Sequence, residues 1–88
     1  MMPLHIGDNI VLDSKGIIGI FSGIERNKEF LDMAGSKFMT RNNSAGASGF
    51  IIYRKQEKEY VYFSRISARG LIRRLEKDEE EIHAKKTG

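Results

Sequence analysis

The stretch Phe50–Phe63, FIIYRKQEKEYVYF, decides the fold. Its ends, Phe50 to Tyr53 and Tyr60 to Phe63, consist of aromatic and β-branched residues and bracket a charged tip from Arg54 to Glu59. Such side chains pack well on a pleated surface, so the pattern predicts two strands paired as an antiparallel hairpin. Neither strand alternates apolar with polar. Phe50 and Ile52 project to one side and Ile51 and Tyr53 to the other, and Val61 and Phe63 likewise oppose Tyr60 and Tyr62. Both faces therefore need cover. Two helices in so short a chain cover one face, which predicts that the other is a subunit interface or an aromatic platform on which bases stack.

Upstream, Leu4 to Ile6 and Ile10 to Leu12 are short apolar runs around Gly7, Asp8 and Asn9, which reads as two short strands and a tight turn. Asp13 to Gly16 form a second turn before Ile17 to Phe21, predicting a further hairpin. Ser22 with Glu25 has the spacing of a capping box, and Ile24, Phe30, Leu31 and Ala34 predict a short amphipathic helix from Gly23 to Ala34, ended by Gly35. Lys37 to Arg41 reads as another strand. Asn42 to Gly49, NNSAGASG, carries no charge and no large side chain and reads as a loop. It lacks the GK[ST] of a phosphate-cradling loop, and its GASG leads into a strand rather than a helix as in a KH domain.

Downstream, Ser67 is suited to cap a helix from Ala68 to about His83, with a tail that frays from Lys85 to Gly88. Arg65 to Lys77 carries five of the chain's fifteen cations against one acid, and Asp78 to Glu81 are all acidic. On a helix, Arg69 and Arg73 share one stripe while Leu71, Ile72 and Leu75 line another, displaying cations beside an apolar seam. Displayed cations suit phosphate; the same run also describes a solvated face with Arg73 and Lys77 paired to acids one turn away.

The 88 residues form one structural domain. Residues 1–66 read as a β-rich oligomerisation part with one inserted helix over 23–34, and 67–88 as a C-terminal amphipathic charged helix with its tail. The fold class is α+β: a small antiparallel sheet, a short middle helix and a longer C-terminal helix, assembling as a homo-oligomer. A chain of this size buries only about 60–65 % of the surface its unfolded form exposes, so association adds needed burial. There is no cysteine, which excludes disulfides and thiolate chemistry and fits a reducing cytoplasm. No apolar run reaches the roughly 20 residues of a membrane span, and the start MMPLHIGDNI does not read as a signal peptide. A cytoplasmic protein with no membrane partner is expected. His5 and His83 lie at opposite ends of the chain, no set of residues has metal-ligand spacing, no serine sits in a GxSxG elbow, and no cofactor motif is present. The expectation is a binding protein, not an enzyme, with no cofactor and no small-molecule substrate.

Three segments, HIGDNIVLDSKGIIGIF, GFIIYRKQEKEYVYFS and RISARGLIRRL, resemble the RemA/RemB family of extracellular matrix regulatory proteins of Gram-positive bacteria. The likeness spans Leu4 to Leu75 and is closest to the RemB branch. The resemblance implies a DNA-binding transcriptional regulator of biofilm matrix genes, with protomers joined into a ring around which duplex DNA wraps by many contacts to phosphate. Lys15 in DSKG matches a basic residue of the RemA branch. The adjacent arginine pair of that branch falls here on Ser44 to Ser48, which carries no cation, so the expected contact moves to Lys37 and Arg41. The candidate nucleic-acid-binding residues are thus Lys15, Lys37 and Arg41, with Arg69 and Arg73 as secondary candidates and double-stranded DNA and further copies of the chain as partners. The competing readings are an oligomeric scaffold or adaptor that does not bind DNA, and a single-strand binder using Tyr53, Tyr60 and Tyr62 as stacking surfaces.

Overall fold

The computed structural model describes residues 2–87, with side chains as far as residue 77. The expected hairpin is central: β5 (Gly49–Lys55) and β6 (Lys58–Ser64) pair antiparallel with Tyr53 opposite Tyr60. Their two-residue connection, Gln56 and Glu57, has positive φ at both positions, as in a type I′ turn, whose twist matches that of the strands it joins. β3 (Ile17–Ser22) pairs antiparallel with β5, and β4 (Met39–Thr40) pairs with β6, giving a four-stranded sheet in the order β3-β5-β6-β4. β4 runs parallel to β6, so the sheet is mixed rather than antiparallel throughout.

β1 (Pro3–His5) and β2 (Val11–Asp13) form a separate antiparallel ribbon across a turn in which Gly7, Asp8 and Asn9 all have positive φ. The hairpin expected between β2 and β3 does not form. A 3-10 turn, Ser14–Gly16, instead carries the chain from the ribbon to the edge of the large sheet, where Ile17 pairs with Tyr53. Two contacts with Tyr53 fix this crossing. The Asp13 amide donates to its hydroxyl at 3.2 Å, and Gly16 lies so close that a Cβ there would sit 2.6 Å from the ring.

Both faces of the hairpin are covered within the single chain, which corrects the expectation that one face is left for a partner. On one face Ile51 and Tyr53 pack with Leu4, Ile6 and Leu12 of the ribbon and Leu71 of α2 (Ala68–Thr87). On the other, Phe50, Ile52, Val61 and Phe63 pack with Phe21, Ile24, Leu31 and Phe38. Phe21 and Phe30, from the strand and from α1 (Lys28–Ala34), both stack on Phe50, with ring centroids 5.0 and 6.0 Å away. Fully burying a side chain such as Phe50, Ile51 or Leu71 is worth about 1.5–3 kcal/mol. The shortage of cover expected from two helices is met by the β1–β2 ribbon.

The middle helix begins five residues later than the Ser22 capping pattern predicts. Ser22 ends β3, Gly23 takes φ +84°, and the Asn27 side-chain amide donates to the carbonyls of Ser22 and Gly23 at 2.9 and 2.7 Å. These bonds hold residues 23–27 as turns until α1 starts at Lys28; Gly35 follows it as expected. At α2 the expected cap is present, with the Gly70 amide donating to Ser67 Oγ at 3.1 Å. This helix continues to Thr87, a turn beyond His83. Its backbone is thus helical through Lys85 to Thr87, where the tail was expected to fray, while Gly88 and the side chains of Asp78 to Glu81 and His83, with the ion pairing expected of the acids, lie outside the described residues.

Candidate nucleic-acid interface

One row of residues crosses the whole large sheet: Ile17 faces Tyr53, Tyr53 faces Tyr60, and Tyr60 faces Met39. The three leading cations are placed by this row. Lys15 lies two residues before Ile17 in the 3-10 turn, its amide held by Asp13 Oδ1 at 3.1 Å. Lys37 lies two residues before Met39, on the exposed segment that leaves α1. Since β3, β4 and β6 all run away from the β5–β6 turn, Lys15 and Lys37 flank the turn end of the sheet from its two edges.

Arg41 follows β4, its amide donating to the Val61 carbonyl at 3.0 Å. Its guanidinium carbon lies 5.5 Å from the centre of the Tyr60 ring. This contact biases the side chain toward one face of the sheet while leaving its donors in solvent, so less entropy remains to be lost when an anion binds. Beyond Arg41 the strand ladder is continued by a side chain. Asn42 Nδ2 donates to the Phe63 carbonyl and its Oδ1 accepts from the Phe63 amide, both at 2.7 Å. The chain leaves the sheet there without orphaning the β6 backbone.

Arg69 and Arg73 are not part of this group. They line an open groove between α2 and β3 with Ile20, Ser22, Ser48 and Ile72. Ser22 pairs with Gly49, so this groove opens at the end of the sheet away from the β5–β6 turn. Ile72, expected in the apolar seam with Leu71 and Leu75, is instead 42 % exposed on that groove. Arg74, not singled out from the sequence, donates to the His5 carbonyl at 2.8 Å and ties α2 to the ribbon.

Three further cations, Arg54, Lys55 and Lys58, stand at the turn end and were missed as candidates because the tip was read only as a hairpin loop. The two-residue connection could have found them, since it sets Lys55 opposite Lys58 and Arg54 opposite Glu59. Arg54 and Glu59 form an ion pair at 3.8 Å. The tyrosines do not make an open stacking platform. Tyr53 is buried, Tyr62 packs edge-on against it at 5.8 Å, and Tyr60 lies beneath Arg41. Among the described residues no three His, Asp or Glu side chains gather as a metal site, and no helix is long and apolar enough to cross a membrane.

No family model, curated protein or solved structure matches the chain. The arrangement itself carries the chemistry: exposed ammonium and guanidinium groups drawn from segments far apart in sequence to one end of a rigid sheet. Such a surface can hold anionic oxygens by charge and hydrogen bonding, and arginine adds planar, bidentate contact.

Proposed function

We propose that this protein binds duplex DNA through the phosphate backbone as a homo-oligomer and, as its resemblance to the RemA/RemB family implies, regulates transcription of extracellular matrix genes. The observation that carries the reading is the placement of Lys15, Lys37 and Arg41 around a single row of the large sheet. All three are exposed, and none contributes to the core.

A lone subunit with net charge +3 offers few contacts. Binding to phosphate weakens with salt by a log–log slope of about 0.9 per phosphate neutralised, and each phosphate adds only modest affinity at physiological salt. Repetition of the surface in an oligomer supplies the rest through effective concentration. Exposed apolar side chains at the α1–β4 edge, Met33 at 68 % and Met39 at 53 %, provide surface for that association. One feature favours the scaffold reading without DNA, namely the absence of any cation in the Ser44 to Ser48 stretch.

Titration of long and short duplexes at two salt concentrations tests the proposal. Long duplex is expected to bind far better than short, and Lys15→Ala and Arg41→Ala are each expected to weaken binding to all sequences alike, because phosphate contacts carry no base information. Affinity indifferent to duplex length and to both substitutions would leave the scaffold reading in its place.

A further inference from the structure

The β5–β6 turn departs from two local preferences at once. Two-residue turns with positive φ at both positions favour Asn-Gly or Asp-Gly, yet here Gln56 and Glu57 occupy them at φ 52° and 67°. Immediately outside the turn, Lys55 stands directly opposite Lys58. Like charges facing each other across an antiparallel pair repel, and both side chains are exposed. The adjacent pair does the reverse: Arg54 attracts Glu59. Departures from local preference without a compensating contact concentrate at functional positions.

Strand alternation gives the lysine pair a direction. Lys55 shares its face with Tyr53, and Lys58 shares its face with Tyr60. On that face Arg41 lies over Tyr60, and the 3-10 turn bearing Lys15 rests on Tyr53. The pair thus lies on the face that carries Arg41 and the turn bearing Lys15, while Arg54 and Glu59 alternate to the opposite face.

We propose that Lys55 and Lys58 are a phosphate clamp at the hairpin tip. An anionic phosphate seated between two ammonium groups, each with three donors, turns their mutual repulsion into shared attraction. The hairpin is held in its repulsive form by the strands behind it, so the site is organised before the anion arrives. This inference rests on the phosphate-backbone reading above and adds the tip as its leading contact element, with Arg41 taking a neighbouring phosphate.

The double substitution Lys55→Thr with Lys58→Thr keeps residues suited to strands and tests the clamp in the full chain. Thermal melts report the fold, and binding is measured with long duplex DNA and, separately, with inorganic tripolyphosphate. Removing the repulsion is expected to raise Tm by about 2–5 °C. Duplex affinity is expected to fall at least about tenfold, with the salt slope flatter by about 1 for each engaged subunit. Tripolyphosphate affinity is expected to fall with it. If the wild type binds duplex and the variant binds both probes equally well, the clamp is wrong while the backbone reading stands on Lys15 and Arg41. If tripolyphosphate binds in a lysine-dependent manner but duplex does not bind at all, the clamp stands and the DNA reading falls. Binding of neither probe by the folded wild type overturns both.

Discussion

Asn42 does the work of a backbone. Strand β4 has only two residues, and the paired bonds from the Asn42 amide to Phe63 replace the next rung of the ladder. Replacing Asn42 by Leu leaves the Phe63 amide and carbonyl without these partners, at a cost of about 1–3 kcal/mol. Urea denaturation is expected to show that loss as a lower midpoint at unchanged slope. Gly16 is constrained differently, because a Cβ there meets the Tyr53 ring at 2.6 Å and the Arg54 carbonyl oxygen at 2.8 Å. Gly16→Ala is therefore expected to destabilise by about 1–3 kcal/mol through overpacking, and near-ultraviolet circular dichroism should report the displaced tyrosine. Neither role is visible in the sequence. Asn42 reads as the first residue of a loop and Gly16 as a turn former, and only the long-range partner of each distinguishes them from others of their kind.

At the scale of elements, what could be read depended on whether the determining contacts were local. The β5–β6 hairpin was legible because its strands are dense in aromatic and β-branched residues and only two residues separate their paired ends. The α2 cap was legible for the same reason, since Ser67 reaches an amide three residues away. The start of α1 was misread because Ser22 and Glu25 satisfy a local pattern that pairing of Ser22 with Gly49 in the sheet overrides. The β2–β3 hairpin was misread because adjacency in sequence does not reveal that Ile17 prefers Tyr53. Of the proposed site, Lys15 and Arg41 could be named from the sequence, whereas the lysine pair at the tip follows from register, which the strand boundaries fix. The turn also yields a prediction about stability. Gln56→Asn with Glu57→Gly relieves left-handed backbone at both positions and is expected to stabilise the fold by about 1–2 kcal/mol, read as a higher Tm with Lys55 and Lys58 untouched.

At the scale of the molecule, large apolar side chains stay exposed on α1 and at both edges of the large sheet, as well as at Val11 of the ribbon and Ile72 of α2. Phe30 and Met33 are exposed on α1, Met39 is exposed on β4, and Ile18 is 59 % exposed on β3. This distribution moves the expected subunit contact from the hairpin faces, which the chain covers itself, to the sheet's borders. Met33→Glu with Met39→Glu is expected to lower the sedimenting mass and to weaken binding to long duplex more than to short, while the melt of the isolated subunit stays nearly unchanged because both side chains are already in water. Sedimentation of the unaltered chain as a 10 kDa species at micromolar concentration would remove oligomerisation from the proposed mechanism. Finally, buried Ser64 donates through Oγ to the Ile6 carbonyl at 2.7 Å and accepts from the Ile66 amide at 3.1 Å, joining positions 58 residues apart. During synthesis at about 5–20 residues per second, the 58 residues from position 7 to Ser64 take roughly 3–12 s to follow Ile6. For that interval the amino-terminal ribbon has no serine to dock on and no hairpin to cover. Chains ending before residue 64 should consequently be open to protease, and the full-length chain, with Leu71 of α2 also in place, should become resistant in one step.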